Sequence, residues 1–310
     1  MSSPKVLIST RSFGKADPAP LEELKAAGVQ WTLNPHGRTL QIPESIDLLQ
    51  GACGLIAGTE PLNEEVFSRV PGLKVISRVG TGLNNVDLKA AQQRGILVFN
   101  TPEAPSQAVA ELAVGLMLSV LRRIAESDRG VRGGKWEACM GALLGDKTVG
   151  VVGHGRIGGR VARILRGFGC TVLACDDCEF KAEGVRRVAF AELLKSSHIV
   201  TLHVPLSEKT RHLIDAAALA QMRPGAVLIN TSRGGLVDED ALAEALRQGR
   251  LSGAGIDTFH QEPYGGPLKE LPSTVLTAHM GSAAKECRGR MEREAAANLL
   301  AGLRQAGVLS

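Results

Sequence analysis

Short apolar runs alternate along this chain with stretches in which apolar residues recur every three or four positions, the pattern of strands that each feed a helix. In the first third the runs fall at 6–9, 21–27, 52–57, 73–77 and 96–99. A second series falls at 149–152, 171–174, 199–202, 226–229, 255–256 and 275–276. Such alternation predicts an α/β fold built on parallel sheets. Between the two series, Asn100-Thr-Pro-Glu-Ala-Pro105 breaks the pattern with two prolines, and Ser106 is placed to cap the helix beyond it, so a domain crossing is predicted there. The segment 108–121 is apolar on nearly every side, which for a helix means burial in a core or between the subunits of a homodimer. It falls short of the roughly 20 residues a membrane span needs. The Gly-rich stretch 127–145 predicts irregular structure.

Nearly every run of the second series is followed at once by a chemically capable group: Gly153 and Gly155, Asp176, His203, Ser232 with Arg233, Asp257, and His279. Ligands of open parallel sheets lie beyond the carboxyl ends of the strands, so these groups are expected to converge on one crevice. Gly153-His-Gly155-Arg-Ile-Gly158 opens a helical pattern over 156–168. Three glycines at this spacing permit a tight turn, close backbone approach to a pyrophosphate, and close packing of helix on strand. Asp176 ends the next run, where a carboxylate accepts hydrogen bonds from a ribose 2′-hydroxyl. Asp177 adds a second negative charge and no Arg follows within several residues, so NAD is predicted over NADP. Cys175-Asp-Asp-Cys178 lacks the second cysteine pair of a structural zinc site and the helix N-terminus of a redox dithiol, so no metal is expected.

Composition narrows the class further. Of 310 residues 44% are hydrophobic and 22% charged, the balance of a globular α/β protein of about two domains. The net charge of +4 carries no basic block and aromatic residues are only 3%, so nucleic-acid binding finds no support and a small anionic ligand fits better. Six cysteines and a first apolar run too short for a secretion signal point to the cytoplasm, with no membrane partner.

Three further residues complete the pattern: Arg233 in Asn230-Thr-Ser-Arg-Gly-Gly-Leu-Val-Asp238, Glu262 in Asp257-Thr-Phe-His-Gln-Glu-Pro263, and His279 in Leu276-Thr-Ala-His-Met-Gly-Ser282. Separately they read as a surface turn, a loop start and a core histidine. After a dinucleotide fingerprint they match a carboxylate-binding guanidinium and a histidine held by a carboxylate, the needs of hydride transfer to a 2-oxo acid. With Arg78-Val-Gly-Thr-Gly-Leu-Asn-Asn-Val-Asp87 and Asn100-Thr-Pro102, the chain from about 55 to 282 resembles the D-isomer-specific 2-hydroxyacid dehydrogenase family, especially its phosphoglycerate-dehydrogenase-like branch.

That resemblance implies two doubly wound parallel-sheet domains, a Rossmann cofactor domain at 100–282 inserted in a flavodoxin-like substrate domain formed by 1–99 and 283–310, with a final helix at 283–303. It implies Arg233, Glu262 and His279 as the catalytic three. Thr81, Arg156, Ile157, Asp176, Val204, Thr231, Asp257 and Gly281 would line the NAD site, together with Gly153, Gly155, Gly158 and Ser232. Arg78 and the backbone amides of Val79 and Gly80 would meet the substrate carboxylate. In phosphoglycerate-specific members an Arg-Ser-x-Thr-Lys segment follows the strand that matches Leu55-Ile56, whereas this chain has Gly58-Thr59-Glu60-Pro61. A substrate phosphate would thus meet fewer cations and one like charge. Glyoxylate, hydroxypyruvate, pyruvate and phosphohydroxypyruvate stay open as substrates, as does the NADH-sensing, non-catalytic role of some family members. A methyltransferase would leave Arg233, Glu262 and His279 without a role.

Overall fold

The computed structural model describes residues 3–309, which fall into two compact units. One consists of the described part of Met1–Pro105 and Ser282–Ser310, the other of Ser106–Gly281.

In the first unit the strands are β1 (Lys5–Ile8), β2 (Gln30–Leu33), β3 (Gly54–Ala57), β4 (Val75–Arg78) and β5 (Leu97–Asn100). The helices between them are α1 (Ala19–Ala26), α2 (Ile42–Leu48), α3 (Glu64–Arg69) and α4 (Leu88–Gln93). All pairings are parallel, in the order β2-β1-β3-β4-β5, so the order reverses beside β1 as in flavodoxin-like sheets. The central strands are buried on both faces, which is why they read as unbroken apolar runs. Helix termini are set by side chains: Asn63 accepts from the Val66 amide and Asp87 from the Ala90 amide. The chain's last helix, Lys285–Gln305 (α11 in chain order), returns to this sheet. Its approach depends on missing side chains. A Cβ on Gly54 would come within 2.9 Å of Leu299, and one on Gly302 within 2.6 Å of Val75.

The second unit contains α5 (Ser106–Leu121), α6 (Ile124–Arg132), β6 (Thr148–Val152), α7 (Arg156–Gly167), β7 (Thr171–Cys175) and β8 (Val185–Arg187). There follow α8 (Phe190–Ser196), β9 (Ile199–Leu202), α9 (Ala216–Gln221), β10 (Ala226–Asn230), α10 (Glu239–Arg247), β11 (Leu251–Ile256) and β12 (Thr274–Leu276). Seven parallel strands take the order β12-β11-β10-β9-β6-β7-β8. Chain order reverses between β6 and β9, and a crevice opens beyond strand ends at such a point. Among the described residues no helix is long and apolar enough to cross a membrane.

Several sequence expectations change. The run at 21–27 lies in α1 and its cap, because its apolar positions are helically spaced and Leu24 faces the core. The strand of that region is instead β2, an edge strand whose four residues are largely exposed and carry no apolar run. Likewise β8 is a three-residue edge strand with two exposed arginines. Within 127–145, residues up to Arg132 are helical. Ser106 is the first residue of α5 and not the residue before it. In α5, Val109, Ala110, Ala113, Val114, Leu116 and Met117 are buried in the second unit's core, with Leu112, Leu118, Val120 and Leu121 packed against it.

Candidate active site

The loop after β6 shows why each glycine is there. Gly153 has φ +89°, a conformation that L side chains rarely adopt, and a Cβ on it would stand 2.6 Å from the carbonyl oxygen of His203. A Cβ on Gly158 would stand 1.9 Å from the Gly153 carbonyl oxygen, so α7 packs against the turn only without a side chain there. A Cβ on Gly155 would meet nothing within 4 Å, and its backbone therefore borders open space at the N-terminus of α7. Unpaired amides and the helix dipole favour an anion at such a place. Arg156 is exposed beside it, and Ile157 is half-buried against the core.

A cleft of about 1310 Å³ opens here, lined by Gly153, Gly155, Cys175, Asp176, Asp177, Arg187, His203 and Val204, among others. Asp176 accepts the His154 amide at 2.6 Å through Oδ2 and the Cys178 amide at 2.8 Å through Oδ1. One lone pair on each oxygen remains for a pair of ribose hydroxyls. His203 directly follows β9 on the other side of the switch point. Burial pulls its imidazole down to about 3, so the ring is neutral, and its Nε2 lies 2.9 Å from Thr201 Oγ1. Burial, reinforced by the charge of Asp176, pushes the Cys175 thiol up to about 11, so little thiolate forms at neutral pH. Thr231 Oγ1, His203 Nδ1 and His154 Nε2 are buried with no protein partner. Open glycine backbone, a carboxylate with spare lone pairs and orphaned polar atoms at neighbouring strand ends together fit a dinucleotide such as NAD. Arg187 is a group the sequence reading did not include, because β8 delivers to this cleft an arginine eleven residues beyond Asp176.

The strands on the other side of β9 assemble the remaining groups. Ser232 donates to the Leu202 carbonyl at 2.7 Å, which ties the end of β10 to that of β9. Arg233 Nη1 donates to the Ser232 carbonyl at 2.6 Å, and burial lowers the guanidinium pKa while the Glu262 carboxylate opposes that shift. The loop carrying it presses on the next one, since a Cβ on Gly234 would stand 1.8 Å from the Phe259 carbonyl carbon. Glu262 is held by the Phe259 amide, which donates to Oε1 at 3.0 Å, and its Oε2 lies 2.9 Å from His279 Nδ1. A carboxylate only accepts, so Nδ1 carries the hydrogen of this bond and Nε2 is the ring's other working atom. Arg233, Glu262 and His279 are thus brought together.

His279 itself has φ +49°, a conformation that costs a residue with a Cβ about 1–3 kcal/mol. Asp257 holds it there. Its fully buried carboxylate accepts from Thr277 Oγ1 at 2.6 Å, the Met280 amide at 2.8 Å and the Gly281 amide at 2.9 Å, while its carbonyl accepts the His279 amide at 2.9 Å. Asp257 and Gly281 were expected along a cofactor surface; the hydrogen bonds that Asp257 accepts from Met280 and Gly281 fasten the histidine loop. Nothing in the local sequence marks this, because the bonds join residues about twenty positions apart.

In the first unit, Arg78 is the last residue of β4, and Val79, Gly80 and Thr81 follow it. Here the expectation of free amides is corrected. The Val79 amide donates to the Ala57 carbonyl at 2.9 Å, continuing the sheet, and the Gly80 amide donates to Thr101 Oγ1 at 2.7 Å. Each N–H has one proton, so neither amide stands open to a carboxylate in this conformation. Arg78 Nη1 donates to the Val79 carbonyl at 2.9 Å, and Asn100 donates to the Thr81 carbonyl at 2.7 Å. Glu60 also departs from expectation. It is buried, accepts from the Ser9 hydroxyl and the Gly58 amide, and burial raises its pKa, so its charge is not offered to a ligand as the sequence suggested.

A parallel sheet with a glycine-turned crevice and a ribose-ready acid, beside a histidine–carboxylate pair and a half-buried guanidinium, defines a nicotinamide-dinucleotide oxidoreductase. Comparison with known proteins narrows the class. Residues 114–281 match the family described as D-isomer specific 2-hydroxyacid dehydrogenase, NAD binding domain. A glyoxylate reductase of Korarchaeum cryptofilum is 42% identical over 255 residues, 78% of this chain and 77% of that one. A D-3-phosphoglycerate dehydrogenase of Mycobacterium leprae is 39% identical over 271 residues, 84% of this chain and 50% of the relative. A crystal structure from Thermus thermophilus superposes with a TM-score of 0.91 at 39% identity, covering 97% of each chain. The chain belongs to the D-isomer-specific 2-hydroxyacid dehydrogenase family, and its cofactor is NAD.

Proposed function

We propose that this protein is an NADH-dependent reductase of small, unphosphorylated 2-oxo acids of the glyoxylate and hydroxypyruvate kind, running reversibly to the D-2-hydroxy acid. The observation that carries this reading is the His279–Glu262 contact of 2.9 Å, with Arg233 close enough to feel the same carboxylate. When bound, NADH supplies the hydride. His279 is the group that gives a proton to the substrate's carbonyl oxygen, or takes it from the hydroxyl in the reverse direction. Glu262 fixes the ring so that Nε2 faces the reaction. Arg233 offers two parallel donors to the substrate carboxylate, a fork that a lysine does not reproduce. Thr231, Ser232, Val204 and Arg156, with the three fingerprint glycines and Asp176, form the cofactor side of the site. Of the four open substrates, phosphohydroxypyruvate is disfavoured by the missing basic segment after β3, where Gly58-Thr59-Glu60-Pro61 supplies no cation.

The reading is tested by following NADH oxidation with glyoxylate, hydroxypyruvate, pyruvate and phosphohydroxypyruvate in parallel. Highest kcat/KM is expected with one of the first two. Preference for phosphohydroxypyruvate would overturn the substrate assignment, and binding of NADH without turnover of any of them would favour the NADH-sensing role.

The protein is proposed to act in the cytoplasm as a homodimer. Support for the dimer comes from the segment 124–143, where Ile124, Val131, Trp136, Met140 and Leu143 are all exposed, Trp136 to 90%. So many large apolar groups on one short segment are unusual for a surface that faces only water. Sedimentation velocity at micromolar concentration is expected to show a dimer, with Trp136→Glu shifting it toward monomer. A monomeric native protein would refute this part.

A further inference from the structure

The adenosine end of the cleft contains a cation that the NAD reading leaves unused. Arg187, on the edge strand β8, lines the same cleft as Asp176 and Asp177. Its Nη2 donates to the main-chain carbonyl of Asp176 itself at 3.3 Å. The guanidinium lies 5.9 Å from the centroid of the Phe180 ring, and that ring stacks on His154 at 4.1 Å with an interplanar angle of 14°. The His154 amide in turn donates to the Asp176 carboxylate, closing a circuit of contacts round the acid. The other charged contact of Arg187 is weak, since Glu179 Oε1 is 3.7 Å from Nη1 and its side chain is 95% exposed.

We infer that Arg187 is a second determinant of cofactor choice that opposes Asp176, because its guanidinium stands ready to pair with a phosphate on the ribose 2′-oxygen. The inference rests on the oxidoreductase reading, in which Asp176 receives the ribose hydroxyls. A guanidinium hydrogen-bonded to the main-chain carbonyl of Asp176, and lining the same cleft as its carboxylate, borders the space that a substituent on the same hydroxyl would enter. A 2′-phosphate carries about two negative charges and three acceptor oxygens, so it competes well for a guanidinium now shared with a solvent-swept glutamate. Asp176 and Asp177 repel the same phosphate, and the balance of these terms fixes how strongly NADPH is rejected. Neither acid changes in number when Arg187 is removed, so its share of the balance can be isolated.

Calorimetric titration of the full-length protein with NADH and NADPH tests this without turnover. Arg187→Ala is expected to weaken NADPH binding about tenfold while changing NADH binding by no more than about threefold. Asp176→Ser is expected to strengthen NADPH binding about tenfold, and the double variant D176S/R187A to lose that gain. Arg187→Lys, which keeps the charge, should retain most of the native NADPH affinity. Equal losses for both cofactors on Arg187→Ala would make Arg187 only a prop for Phe180 and would overturn the inference, as would a full gain persisting in the double variant. The oxidoreductase reading fails separately, through native protein that binds neither cofactor.

Discussion

Replacement of His279 by alanine is expected to lower turnover with the preferred 2-oxo acid by roughly 10²- to 10⁴-fold, the range for losing a positioned general acid. NADH affinity should stay within about threefold of native, since the histidine stands with Glu262 and Arg233 and not among the groups lining the cofactor cleft. The split matters because His279 sits at φ +49° in a loop fastened by Asp257. Alanine retains the amide that donates to the Asp257 carbonyl and needs the same backbone conformation, so the loop's own hydrogen bonds survive the substitution. The exposed pair with Glu262 adds little stability, its members being 48% and 39% exposed, so the variant should fold normally. Pre-steady-state measurement of NADH binding beside steady-state kcat checks both halves. Turnover within tenfold of native would remove His279 from proton transfer.

What the sequence revealed and concealed follows from where each interaction lies. The central strands β3, β6, β9 and β10 are buried on both faces and were legible as apolar runs. The glycine loop was legible because its demands are local, with Gly158 packed on Gly153 five residues earlier. Edge strands were not. Gln30–Leu33 and Val185–Arg187 are exposed on most positions and need no hydrophobic pattern, only a neighbour to pair with. Missing the second of these hid Arg187. The committed amides of Val79 and Gly80 were also invisible, because their acceptors at Ala57 and Thr101 lie about twenty residues away and only tertiary structure assigns them. Glu60 reads as a surface acid until the fold brings Ser9, 51 residues away, to it.

Removal of Arg233 should be about as damaging as removal of His279, but through a different parameter. Two charge-assisted hydrogen bonds to a carboxylate contribute about 1.5–3 kcal/mol each, which places the expected loss in kcat/KM for Arg233→Ala at roughly 10²- to 10⁴-fold. Burial lowers the pKa of this guanidinium, yet an arginine starts so high that it stays charged at every pH where the enzyme is studied, so the loss should be independent of pH. KM should rise along with the fall in kcat, since the substrate carboxylate is bound in the ground state as well as in the transition state. Arg233→Lys keeps one positive charge but loses the planar fork, and the chain that replaces it must also leave the Ser232 carbonyl that Nη1 now engages. It should therefore recover only part of the loss, whereas millimolar guanidinium added to the alanine variant should restore activity in a saturable way. If lysine were fully active, recognition would need only charge at this point, and the bidentate role given to Arg233 would fall.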